Sequence, residues 1–153
     1  MLGASICLFS YIHIVLTSNS YSTYEVIAAN WNIELPREAL ITDIIEKQPS
    51  SHGDGEEFTK FQYDKPVDMS MLGLTKVTEV DVADANVKIA EFSTTTISIL
   101  NQDETIVNAF RTHNIKAEAG DYYRYVSREG AHDYLILLYK VESNALYMYV
   151  WNI

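Results

Sequence analysis

The chain has one cysteine, Cys7, among 153 residues. That excludes an intrachain disulfide, a cysteine zinc cluster and a dithiol redox pair, and Cys7 lies in an apolar run that suits no thiol nucleophile. Basic residues are also scarce: 11 Lys and Arg against 21 Asp and Glu give a net charge of −10, and the bases are scattered. A nucleic-acid partner needs a basic stripe to displace counterions from phosphates, so that class is excluded. An acidic surface instead suits a cationic partner. No Gly-x-Ser-x-Gly, His-Glu-x-x-His or phosphate-binding loop is present, and there is no internal repeat or low-complexity linker.

Charge is missing altogether from Met1 to Tyr24, where LGASICLFSYIHIVLT forms a nearly continuous apolar run. Such a run reads as a secretory h-region or a membrane anchor at residues 2–17, although no basic residue precedes it and His13 lies within it. Ser18-Asn19-Ser20 places small residues where a signal peptidase reads, so residues 1–20 are expected to be a signal peptide or anchor. Residues 21–153 are then expected to be a single extracytoplasmic domain; the competing reading folds residues 2–17 into that domain as a buried helix. Lack of disulfides outside the cytoplasm fits a Gram-positive cell surface.

What is present is tyrosine, eleven in all against five Phe and two Trp, a residue suited to half-buried sheet surfaces. Residues 21–32 are predicted helical, with Tyr24, Ile27, Ala28 and Trp31 at helical spacing, and Leu35-Pro36 ends the segment. Strands are predicted over 40–46 and 57–63 as the halves of a hairpin, over 74–82 and over 94–100 (TTTISIL). Residues 83–92 read as a helix. A second helix is predicted after Asn101 as cap, with Glu104 in the capping-box position, ending near His113-Asn114.

The close of the chain is the clearest part. DYYRYV, DYLILLYKV and ALYMYVW are separated by short polar turns, the pattern of an antiparallel meander. In the last run Leu146, Met148 and Val150 face one way and Tyr147, Tyr149 and Trp151 the other. Both faces are apolar, which predicts a central, doubly covered strand, with the aromatic stripe read as core packing. The expected fold class is α+β, an N-terminal hydrophobic helix followed by an antiparallel sheet with one or two packed helices.

One loop concentrates chemistry. Ser50–Glu57 reads SSHGDGEE, and in extended backbone His52, Asp54 and Glu56 share a side. A histidine oriented by an aspartate can act as a general base, and imidazole with carboxylates can ligate a metal. A metal site needs three or four ligands, however, and His113 and His132 are isolated in the sequence. The preferred reading is a hairpin loop whose glycines supply unusual backbone angles and whose Asp54 bonds the turn. No catalytic residue, metal or cofactor is therefore assigned.

With Trp-Asn-Ile-Glu-Leu-Pro at 31–36, His-Gly-Asp-Gly-Glu at 52–56 and the Leu-Ile-Leu-Leu-Tyr-Lys and Leu-Tyr-Met-Tyr-Val-Trp pair in view, the chain resembles small uncharacterised proteins of Gram-positive bacteria. These carry one N-terminal membrane segment, a Trp-x-Ile-x-Leu-Pro motif, a His-Gly-Asp-Gly loop and a terminal Leu/Tyr-rich hairpin. The likeness covers roughly residues 1–65 and 120–153. It implies a membrane-attached or exported accessory protein and no particular activity. The expected function is a non-catalytic extracytoplasmic accessory or binding module that holds an unknown protein or peptide partner through its sheet; the alternative is a small hydrolytic enzyme built on His52 and Asp54.

Overall fold

A computed structural model describes residues 22–46, 55–128 and 132–152. The chain divides after Arg37 into two compact units. In the first, α1 spans Thr23–Trp31. The Ser22 N–H donates to Glu25 Oε2 at 2.9 Å, so the first turn is closed by an acid where the helix dipole favours one. The helix ends earlier than proline requires, because Asn32 adopts left-handed geometry (φ 52°) and its N–H donates to the Ala28 carbonyl. Arg37 lies 5.6 Å from the centre of the Tyr24 ring. No helix among the described residues is long and apolar enough to cross a membrane; the expected apolar helix at 2–17 lies outside them.

The second unit is an antiparallel sheet of six strands: β1 Leu40–Ile45, β2 Gly55–Gln62, β3 Thr75–Lys76, β4 Tyr122–Arg128, β5 Asp133–Lys140 and β6 Ala145–Asn152, in the order β1-β2-β6-β5-β4-β3. The hairpin expected near 40–46 and 57–63 is β1 and β2, with Leu40 opposite Gln62 and a register shift between Asp43 and Ile45. The closing meander is β4, β5 and β6, and β6 lies between β5 and β2. Its central place follows from its composition, because both of its faces are buried from Ala145 to Trp151.

Alternation divides the sheet. Phe58, Ile136, Leu138, Tyr147, Tyr149 and Trp151 share one core with two helices, α2 (Val82–Ile99) and α3 (Glu104–Thr112). On the other face Phe61, Leu135, Leu137, Leu146 and Met148 are fully buried. The 3-10 turn Met69–Leu72 is tied to that face: Arg124 donates to the Leu72 carbonyl and the Tyr139 hydroxyl accepts from the Val67 N–H.

Three expectations are corrected. TTTISIL is not a strand but the last two turns of α2. Ala85, Ile89, Phe92 and Thr96 recur at intervals of four, three and four, and this buried stripe outweighs the β preference of the threonines. Residues 74–82 hold only the two-residue β3, because the Asp81 carboxylate accepts from the Thr78 N–H and hydroxyl and turns the chain into α2. The cap of α3 is Asp103, which accepts from the Thr105 N–H at 2.8 Å, whereas Asn101 and Gln102 form a left-handed turn before it.

Candidate functional site

Of the residues singled out in the Ser50–Glu57 loop, His52 and Asp54 lie outside the described residues. Glu56 is in β2, opposite Trp151 of β6. Among the described residues no group of three or more His, Cys, Asp or Glu side chains is arranged to hold a metal ion. His113 meets the ring of Phe58 edge-on, with centroids 6.4 Å apart.

Where Glu56 stands, the sheet carries a row of aromatic rings across three strands. Tyr134 and Trp151 are opposite one another in the β5–β6 register and lie parallel, with centroids 5.9 Å apart and planes at 3°. Tyr125 of β4 continues the row, 5.7 Å from Tyr134. Phe92 of α2 meets both Tyr134 and Trp151 edge-on and fixes them from above. One residue of α2 thereby holds the parallel Tyr134–Trp151 pair, and Tyr125 extends the ledge at a tilt of 32°.

The ledge borders an open depression of about 280 Å³ lined by Lys88, Glu91, Thr95, Tyr125, Tyr134 and Trp151. Its polar rim belongs to α2. Lys88 Nζ is 5.6 Å from the Tyr125 ring centre and 3.1 Å from Glu91, a partnership that raises the lysine pKa. Burial pushes the Tyr134 phenol up, and the negative charge of Glu91 and Glu56 adds to the shift. The phenol is thus neutral.

Tyr125 also borders a second depression, of about 250 Å³, which reaches Asp81, Asp84 and Tyr123. The Tyr123 phenol is raised too, by burial first and then by Asp84, and its hydroxyl has no hydrogen-bond partner. Both depressions therefore combine tyrosine rings with acids and with as many bases, Lys76 and Arg124 here and Lys88 in the first.

Beside them the edge of the sheet is open. β3 pairs only with Tyr122 and Tyr123, and Val77 closes the ladder onto Asp121 and Gly120. The Thr78–Asp81 turn then takes the chain into α2. Among the described residues no strand lies on the outer side of Tyr125, Val126 and Ser127. Outward backbone groups on alternate residues of such a stretch can pair with an added strand.

Of the loop motif only Glu56 falls among the described residues, at this end of the sheet, and the sequence reading did not single out Tyr125, Tyr134 and Trp151 as a unit. Their signal was the three aromatic-rich runs of the meander; only the register shows which rings align. No family model, curated protein or solved structure matches the chain.

Proposed function

We propose that the protein is a non-catalytic binding module that takes an extended, basic segment of a partner protein along the open edge of β4, beside the Tyr125–Tyr134–Trp151 ledge. The observation that carries this is a strand edge that no strand among the described residues covers, lying next to two tyrosine-lined depressions whose rims carry both acids and bases. Main-chain pairing supplies sequence-independent affinity, and side-chain recesses on one face supply selectivity. In an added strand, side chains on one face recur about every 7 Å. Tyr125 separates two recesses that successive same-face side chains can enter.

Charge selects the segment. The chain carries −10 overall, whereas at the two recesses Asp81, Asp84 and Glu91 are matched by Lys76, Arg124 and Lys88, so the preference for a basic segment rests on the charge of the whole chain. A lysine or arginine over the tyrosine faces gains a cation–π attraction of about 0.5–1 kcal/mol at an exposed site. The long-range field mainly speeds encounter and rejects acidic segments. The module works outside the cytoplasm, carried there by residues 2–17, a placement supported by the charge-free apolar run and by the lone cysteine.

A titration of the full-length protein with a Lys-Thr-Lys-Val-type decapeptide, followed by tryptophan emission, tests the reading. Binding of the basic peptide and not of its Glu-for-Lys counterpart is expected, with affinity falling as salt rises. Equal binding of both peptides, or of neither, contradicts it.

A further inference from the structure

On the other side of α2 lies a half-open cavity of about 340 Å³, lined by α2, α3, the segment after α3 and β6. We infer that this cavity binds a small organic acid, with an apolar middle and a second polar atom at the end away from its carboxylate.

Three features converge on that chemistry. The walls are apolar, from Ile89 and Ile97 of α2 and Val107 and Phe110 of α3, and the volume is that of a small-ligand site. Tyr149 lines the cavity from the middle of the sheet. It is 1% exposed, and its hydroxyl has no hydrogen-bond partner among the described residues. Burial raises its pKa, so the hydroxyl keeps its proton and can donate. The ring cannot turn away, since it stacks on Phe58 at 4.3 Å and meets Phe92 at 5.2 Å.

The third feature is charge. No Asp or Glu lines this cavity, although the chain has 21 of them. Its rim instead carries Arg111, His113 and Lys116, within six residues of one another. Each of the other two depressions matches its acids with bases, Asp81 and Asp84 with Lys76 and Arg124, Glu91 with Lys88, so this one alone of the three has a rim of one sign, and that sign favours an anion. Two other polar groups in the wall are already engaged: Asn86 holds both the N–H and the carbonyl of Ala117, and Ser93 donates to the Ile89 carbonyl; at the rim Arg111 also donates to Asn108 Oδ1. The deep polar contact on offer is the Tyr149 hydroxyl, and the anionic one is the rim.

Calorimetric titration of the full-length protein with 4-hydroxybenzoate and 6-hydroxyhexanoate, and with the methyl ester of each, tests the site. Saturable binding of at least one acid below about 10 mM is expected, with its ester markedly weaker. Tyr149→Phe should weaken the acid about five- to tenfold, the loss of one hydrogen bond. Its melting temperature should stay level or rise, which also shows that the variant is folded. Arg111→Ala with Lys116→Ala should bring acid and ester to similar affinities. The inference is overturned if neither acid saturates, if acid and ester bind alike to the unaltered protein, or if Tyr149→Phe leaves affinity unchanged. A fall in melting temperature for Tyr149→Phe overturns it as well, because the hydroxyl would then have a partner inside the fold.

Discussion

Phe58 and Tyr149 face each other directly across β2 and β6 and stack with ring centroids 4.3 Å apart and planes at 13°. Around this pair the helix-side core is assembled: Phe110 of α3 stacks on Phe58 at 5.8 Å, and Phe92 of α2 meets Tyr149 edge-on. Phe58 is fully buried, so its ring is the common contact between sheet and α3.

Truncating that ring should be among the costliest single changes in the sheet. Phe58→Ala is expected to destabilise the fold by about 3–5 kcal/mol, and Phe58→Leu by far less, since most of the volume is kept. Urea unfolding of the two variants, compared at equal m-value, checks the difference.

A second prediction concerns the buried ion pair at the start of β4. Lys140 Nζ lies 2.6 Å from Asp121 and from Glu118, and also donates to the Lys116 carbonyl. Asp121 is 5% exposed and accepts from the Glu118 and Val141 N–H groups as well. Asp121→Ala removes one of the two carboxylates from the half-buried Lys140 and frees two backbone donors, so a loss of about 1–3 kcal/mol is expected. Glu118→Gln, at an exposed carboxylate, should change stability little. Thermal melts of both variants at pH 7 separate the two roles.

Alkaline pH should unfold the protein through its tyrosines. Burial raises the phenol pKa of Tyr123, Tyr134 and Tyr149 above the ordinary value near 10. The folded state then holds these protons more tightly than the unfolded chain. Their contribution is complete below about pH 10 and is lost as pH rises through the folded values. Lys140, whose burial alone would lower its pKa, is raised overall by its hydrogen bonds to Asp121 and Glu118 and acts with the same sign. Phenolate absorbance should appear in two steps, exposed tyrosines first and the buried ones together with the loss of circular dichroism. A single non-cooperative step would contradict this.

On the acid side Glu118 has its pKa lowered by the Lys140 hydrogen bond. Its contribution is present above about pH 4.3 and is lost as pH falls through the lowered value. Lys140→Met should remove that pH dependence; comparison of urea midpoints at pH 7 and pH 4 tests it.

Much of the sheet was legible because period-two alternation needs no long-range information. The faces of β6, with Tyr147, Tyr149 and Trp151 opposed to Leu146, Met148 and Val150, follow from the residues, as does the β1–β2 hairpin. TTTISIL misled because β-branched residues were weighed by local preference, while Thr96 is held in α2 by burial in line with Ala85, Ile89 and Phe92. The Tyr125–Tyr134–Trp151 ledge was not legible, since it depends on the registers of two strand pairs. The same is true of the cavity over Tyr149, which depends on the spacing of α2 and α3. Tyr149 was read as core and is core; its unpaired hydroxyl emerges only once its neighbours are placed.

The most direct test of the binding role is backbone amide exchange of the full-length protein with and without the basic decapeptide. Occupation of the β4 edge should slow exchange at those alternate residues of 125–127 whose N–H groups point away from β5, and leave the others as they are. The Tyr125→Ala and Glu91→Gln variants should each weaken the peptide severalfold, about 0.5–1 kcal/mol. Protection that appears instead along β1, or no change at β4 while the peptide is bound, would contradict the assignment of the partner-binding surface.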